Sequence, residues 1–339
     1  MKNRNNWLTL AGAGALLAAA SLWSNRRGSY SLEGRVVLIT GGSRGLGLIL
    51  ARQAVAEGAK VAICARDTDE LERARQELAS GGAEVLALSR DLMEPADVRT
   101  LVAEVQEKLG PIDVLVNNAG IITGGPLDHM ELREYKESMD THFWAPLHAM
   151  QAVLPDMRRR REGRIINIAS VGGKVAVPHL APYSASKFAL VGLSEGFRSE
   201  LLQYGIQVTT VCPGLLRTGS PRNAIIKGQH VKEYAWFTIA DSLPAFTVSA
   251  ESAARQIWNA SRRGDAEIII GLPAKLLSAV HGLVPGTTAD MLSWVNRTLP
   301  APTGKEGDAR RYGHESESPI TQSWITTLTR KAEKKNNQV

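Results

Sequence analysis

Cysteine is nearly absent: Cys64 and Cys212 are the only two in 339 residues. That excludes a disulfide scaffold and a cysteine-only structural zinc site. No cluster of His, Cys, Asp and Glu has metal-ligand spacing, so no metal is expected. Aromatic residues are scarce, at 5%, and none interleave with the densest basic run, Arg158-Arg159-Arg160-Arg161. Stacked nucleic acid is thereby disfavoured. The 40 Lys and Arg residues exceed the 34 Asp and Glu by a margin spread along the chain, for a net charge of +6. No nucleic-acid partner is indicated. The arginine run reads as a solvated helix C-terminus capped by a following glycine, with a phosphate or acidic-lipid contact as the other reading. Charge is missing altogether from residues 7–23.

Against these absences stand 31 glycines, 44% hydrophobic and 22% charged residues, a globular composition. Short apolar runs alternate with helical patterns. Val36-Val37-Leu38-Ile39 is followed by a glycine turn and a helix over Leu48 to Val55. Val61-Ala62-Ile63-Cys64 comes next, then a charged helix from Thr68 to Ala79 stopped by Gly81-Gly82. Further strands are expected at Val85–Leu88, Val114–Val116, Ile165–Ala169, Val208–Val211 and Glu267–Ile270. Continuous apolar strands of this length are buried on both faces. The alternation predicts an α/β fold, a Rossmann-type doubly wound parallel sheet. Three segments follow: an N-terminal stretch and linker at 1–33, one α/β domain at 34–272, and an extension at 273–339 without domain-forming strands.

The first strand runs straight into Thr40-Gly41-Gly42-Ser43-Arg44-Gly45-Leu46-Gly47. Glycines at 41, 45 and 47 let the backbone approach a pyrophosphate at a helix N-terminus. The turn lacks the Gly-Lys-Ser or Gly-Lys-Thr end of a nucleoside triphosphatase loop. The second strand ends Cys64-Ala65-Arg66-Asp67. Arg44 and Arg66 together favour a ribose 2′-phosphate, hence NADP(H), while Asp67 leaves NAD(H) open.

These motifs, with those that follow them, resemble the classical short-chain dehydrogenase/reductase family over about residues 34–272. Asp91, followed by Leu92, matches the family's adenine-contacting aspartate. Asn117-Asn118-Ala119-Gly120 matches its element after the fourth strand. Ser170 ends the fifth strand, and Tyr183-Ser184-Ala185-Ser186-Lys187 matches Tyr-x-x-x-Lys. Pro213-Gly214 and Thr218 follow the sixth. The resemblance implies reversible hydride transfer between a nicotinamide and a carbonyl/alcohol pair. Tyr183 is then the general acid/base, Lys187 lowers its pKa and binds ribose, Ser170 orients the substrate oxygen, and Thr218 contacts the carboxamide. Tyr183 and Lys187, four apart, share one helix face, and a cation there favours tyrosinate. His142 stands where the family has an asparagine that holds a relay water, which puts the relay in doubt. An imidazole can both donate and accept, so it is a further catalytic candidate. An epimerase and a non-catalytic scaffold are the competing classes.

Residues 219–245 occupy the place of the family's substrate lid. Ile225, Ile226, Tyr234, Trp236 and Phe237 there suit either an apolar substrate pocket or packing on the sheet. His179 reads as a loop histidine. The resemblance also implies a homo-oligomer. The uncharged residues 7–23 would span about 25 Å as a helix, against a hydrocarbon core of about 30 Å. Trp7 and Trp23 bracket them. The reading favoured is a short transmembrane helix, giving membrane association with the catalytic domain on the cytoplasmic side. An interfacial helix, a signal peptide cleaved near Ala18-Ala19-Ala20, or a soluble cytoplasmic chain are the alternatives. Leu276, Leu277, Val280, Leu283 and Val284 offer a second membrane-facing or partner-facing patch, or a helix packed on the domain. Trp324 and Ile325 fall in a short helix of unassigned purpose.

Overall fold

The computed structural model describes residues 30–339. Strand β1 (Val36–Thr40) is buried along its whole length. Side chains alternate across it: Val37 and Ile39 enter one core, Val36 and Leu38 the other. The strands that follow are β2 (Lys60–Ala65), β3 (Val85–Ser89), β4 (Ile112–Asn117), the short β5 (Thr123–Gly124), β6 (Gly163–Ile168) and β7 (Ile206–Pro213). Then come β8 (Leu215–Arg217), β9 (Ile225–Ile226), β10 (Thr247–Ser249), β11 (Glu267–Ile270) and β12 (Arg311–Tyr312). Seven of them form a parallel sheet in the order β11-β7-β6-β4-β1-β2-β3. The doubly wound expectation is therefore met. The chain passes from β1 outward to β3, then returns to the other side of β1 as β4. That reversal opens a crevice at the C-terminal ends of β1 and β4, the place where such sheets bind ligands.

The helices are α1 (Gly45–Ala56), α2 (Thr68–Ala79), α3 (Pro95–Leu109), α4 (Leu132–Met139), α5 (Ala145–Arg160), α6 (Ala181–Leu201), α7 (His230–Ser242), α8 (Ala250–Arg263), α9 (Leu272–Leu283), α10 (Pro285–Asn296) and α11 (Thr327–Lys335). Helices α1, α2 and α8 cover one face of the sheet, with Leu48, Leu71 and Trp258 in its core. Helices α3 and α5 cover the other, with Val98, Leu101, Met150 and Val153. Each fully buried side chain of this size stabilises the fold by about 1.5–3 kcal/mol. Local signals set the helix ends. Asp67 caps α2 by accepting from the Glu70 amide at 2.8 Å, and Leu71, Ala74 and Leu78 form its buried stripe. Ser249 caps α8, which ends in Arg262, Arg263 and a left-handed Gly264 (φ 68). The basic run does end α5, but the left-handed cap is Arg161 (φ 53), and Gly163 opens β6 instead.

Two smaller sheets border the C-terminal edge of the main one. β8 pairs with β10. β9 lies between β5 and β12, so the extension contributes a strand beside the lid.

Among the described residues no helix is long and apolar enough to cross a membrane. This corrects the expected transmembrane helix and, with it, the membrane association and membrane localisation drawn from it. The uncharged residues 7–23 that prompted those readings lie outside the described residues. The second apolar patch is a hairpin of α9 and α10, each of 12 residues.

Candidate active site

The glycine turn is fixed by the strands on both sides of it. The Gly41 and Gly42 amides donate to the Cys64 carbonyl of β2 at 2.7 and 3.2 Å. From β4, the Asn118 side chain donates to the Thr40 and Gly41 carbonyls, both at 3.0 Å. The Thr40 hydroxyl accepts the Asn118 and Ala119 amides at 3.0 and 3.1 Å. Gly41 is left-handed (φ 64), and a Cβ there would lie 2.8 Å from the Ala119 Cα. A Cβ on Gly47 would lie 2.1 Å from the Gly41 carbonyl oxygen. These glycines are thus required by packing as well as by ligand approach. Helix α1 begins at Gly45 (φ 56), with no side-chain cap from Arg44 and no acid in its first turn. A helix N-terminus without a side-chain cap or an acid in its own first turn suits a dinucleotide pyrophosphate. The residues present fit that group.

Arg44 pairs with Glu70 at 2.7 Å, and the Ser43 hydroxyl donates to the same carboxylate at 3.2 Å. Arg66 is exposed at the end of β2. Asp91 caps the next turn by accepting the Met93 amide at 3.1 Å, and Leu92 packs on the α3 side of the sheet. Leu46 is buried under the turn. Pro213 ends β7, and the Gly214 amide donates to the Ile270 carbonyl at 2.9 Å. Thr218 is buried, its hydroxyl accepting the Ser220 amide at 3.2 Å.

Beside this crevice Ser170 lies just past β6 at the start of a helical turn, Tyr183 and Lys187 lie one turn apart on α6, and Ser170 hydrogen-bonds the Tyr183 hydroxyl. A Cβ on Gly172 would sit 3.3 Å from the Tyr183 ring and 3.4 Å from the Ser170 Oγ, so these two side chains converge over Gly172. The Lys187 Nζ donates to the Ile168 carbonyl at 2.8 Å and lies 5.7 Å from the Tyr183 ring centre. The electrostatics differ from expectation. Burial pushes the Tyr183 hydroxyl above its ordinary pKa, and the Ser170 hydrogen bond only partly opposes it. Burial also pulls the Lys187 ammonium down to about 7. Desolvation is the largest influence on both groups.

His142 lies in a π turn, Asp140–Trp144, between α4 and α5. Its Nε2 accepts the Ile121 amide at 3.2 Å, so the proton sits on Nδ1, which donates to the Ser186 Oγ at 2.8 Å. Ser186 donates in turn to the Tyr183 carbonyl at 2.8 Å. Burial, and then Lys187, hold the ring well below its ordinary pKa. The His142 ring meets the Tyr183 ring edge-on at 5.4 Å.

Residues 35–226 match the family described as short chain dehydrogenase. The chain belongs to the short-chain dehydrogenase/reductase family. It is an NAD(P)-dependent oxidoreductase acting on a carbonyl/alcohol pair. A dehydrogenase/reductase SDR family protein 7-like from Anopheles gambiae is 34% identical over 269 residues, 78% of this chain and 83% of its own. A putative ketoacyl reductase from Streptomyces coelicolor is 39% identical over 188 residues, 55% of this chain and 72% of its own. Among solved structures, a gluconate 5-dehydrogenase from Burkholderia cenocepacia with NADP and tartrate has a TM-score of 0.64 at 28% identity, over 73% of this chain and 98% of that one. An actinorhodin polyketide ketoreductase variant with NADPH has a TM-score of 0.62 at 32% identity, over 70% and 95%.

Several residues of this dehydrogenase escaped the sequence reading. A buried polar ladder runs from Asn117 to Asn167 at 2.8 Å and on to Ser194 at 2.8 Å, tying β4, β6 and α6 together. Asn117 belongs to the Asn117-Asn118-Ala119-Gly120 element, but no motif marks its partners Asn167 and Ser194; an asparagine within the apolar strand β6 is their signal. In the lid, Ile226 and Tyr234 pack with Ala224 and Ile122, Ile225 is also buried, and Trp236 is 47% exposed. His179 is left-handed (φ 61) and meets the Glu233 carboxylate of α7 at 2.9 Å, so it links the active-site loop to the lid.

Proposed function

We propose that this chain reduces a ketone or aldehyde with NADPH, and oxidises the alcohol when NADP+ is supplied. The observation that carries the reading is the meeting of Ser170, Tyr183 and Lys187 beside the glycine turn at the C-terminal edge of the sheet. The nicotinamide supplies the hydride. The amides from Gly45 to Gly47 hold the pyrophosphate, Arg44 and Arg66 the 2′-phosphate, and Asp91 the adenine. Lys187 holds the ribose and Thr218 the carboxamide. Asn118 and Thr40 serve the site by keeping the turn in shape.

Tyr183 is the proton donor and acceptor of this reading: its phenol is protonated at neutral pH, gives that proton to the carbonyl oxygen in reduction and recovers it in oxidation. Ser170 binds the same oxygen and fixes its direction. His142 acts through its neighbours as a positioning residue, because both ring nitrogens are engaged.

A screen of carbonyl and alcohol classes with both phosphorylated and unphosphorylated nucleotides tests the reading. Replacing Tyr183 with Phe is expected to lower kcat by about 10²–10⁴-fold, the usual worth of a positioned acid, with nucleotide affinity retained. Undiminished turnover by that variant, or strong preference for NADH, overturns the assignment.

A further inference from the structure

We propose that residues 333–338 are an intramolecular strap that occupies the pyrophosphate end of the nucleotide crevice, so that dinucleotide binding requires the strap to leave. The inference rests on the reading of the crevice given above. Three observations carry it.

First, the strap supplies the cap that α1 lacks. The Gly45 amide donates to the Asn336 carbonyl at 2.9 Å. That amide is one of the group offered to a pyrophosphate. A Cβ on Gly45 would lie 2.9 Å from the Gln338 Nε2, so the strap lies in van der Waals reach of the turn.

Second, the strap bridges the two walls of the crevice. On the glycine-turn side, the Asn337 side chain donates to the Ser43 carbonyl at 2.9 Å and to the Glu70 carbonyl at 3.0 Å. Arg73 donates to the Asn337 Oδ1 at 3.1 Å. On the far side, the Asn336 and Gln338 side chains donate to the Thr218 carbonyl at 3.2 and 3.4 Å. The Asn223 Nδ2 donates to the Gln338 Oε1 at 2.7 Å. Asn336 is 2% exposed and Gln338 6%. Polar side chains this deeply buried are a seated ligand rather than a loose tail.

Third, the seat is shaped for the segment. A Cβ on Gly219 would lie 2.7 Å from the Glu333 backbone, so glycine is needed there for α11 to approach. Helix α11 also bonds the lid: the Thr329 and Ser242 hydroxyls meet at 2.5 Å. Displacement of α11 along with the strap would break that contact and loosen α7 as well.

Population of the docked state sets the effect: a strap docked about 90% of the time raises the apparent Kd about tenfold. NADPH binding to the full chain and to a variant ending at Lys335 is measured by energy transfer from tryptophan to the nicotinamide. Amide hydrogen exchange of the full chain is followed with and without saturating NADP+. The expected result is about tenfold tighter binding by the variant, and faster exchange of residues 327–339 in the full chain when nucleotide is added. Equal or weaker binding by the variant, or slower exchange of the strap with nucleotide, overturns the proposal. If the variant does not fold, the exchange experiment on the full chain decides alone. If no chain binds either phosphorylated nucleotide, the reading of the crevice falls and the strap falls with it.

Discussion

His142 shows how one substitution changes the work of a position without emptying it. The ring accepts from Ile121 through Nε2 and donates to Ser186 through Nδ1, which fixes a single neutral tautomer. A ring with both nitrogens engaged and its pKa held low by burial stays neutral and takes up no second proton near neutrality. Replacing His142 with Asn is therefore expected to leave the shape of the pH–rate profile unchanged from about pH 5.5 to 7.5, where an ordinary imidazole titrates. An acidic limb seen in the parent chain and missing in that variant would mean the histidine does titrate in turnover. Replacing His142 with Ala leaves the Ile121 amide without its acceptor, at a cost of about 1–3 kcal/mol plus the cavity, read by denaturant unfolding. The asparagine variant keeps an acceptor and should lose less. At this scale Tyr183 and Lys187 were legible because one helix fixes their spacing, and Thr40 and Ser170 because each closes or follows an apolar strand. The partners Ile121 and Ser186 were not, since only the π turn brings them to His142.

Elements with strong local signals were legible almost to the residue. Helix α2, with Asp67 before it and acids in its first turn, and strand β11 lie where the pattern puts them. Strands β4 and β7 are longer than their apolar runs, because ladder pairing takes in polar residues such as Asn117 and Gln207 that end or interrupt those runs. The lid helix α7 had no such signal. It is held to α11 by polar contacts between residues far apart in the chain. Asp241 of α7 accepts from the Thr329 hydroxyl at 3.3 Å and is 3% exposed. Burial lifts its carboxyl to about 7, with Thr329 and then Arg217 opposing and Glu333 adding to the rise. In the folded chain this group keeps its proton up to about pH 7, whereas the unfolded chain releases it near its ordinary value of 3.8. Its contribution to stability is full below that value and is lost as pH rises through 7. Replacing Asp241 with Asn removes the loss while keeping an acceptor for Thr329. The variant should gain about 1–3 kcal/mol over the parent at about pH 8 and little at about pH 4. Equal urea stabilities of the two chains at the higher pH would refute the buried-acid account.

Across the whole molecule, the extension proves to be part of the site's enclosure, which composition alone did not reveal. A stretch rich in charge and poor in apolar periodicity reads as a tail, yet its polar residues find buried partners one by one. Arg310 meets the Glu137 carboxylate of α4 at 2.8 and 2.6 Å. Asp308 meets the buried His129 at 2.8 Å, and the Thr303 amide donates to the other nitrogen of that ring at 3.0 Å. The Gly228 amide donates to the Gly307 carbonyl at 2.8 Å, and β12 pairs with β9. All these contacts fall on α4 or on the lid and its neighbours, and none on the seven-stranded sheet. A chain ending at Pro302 should therefore keep the sheet and lose order around it. The expected outcome is amide exchange at least about tenfold faster over residues 219–245, with the exchange of β1, β4 and β6 unchanged, since local opening draws on local contacts. A chain ending at Lys335 should show no such change in β9, because it retains β12. If both truncations leave the lid equally protected, the extension is an appendage after all. If both expose the sheet as well, the lid and core open as a single cooperative unit.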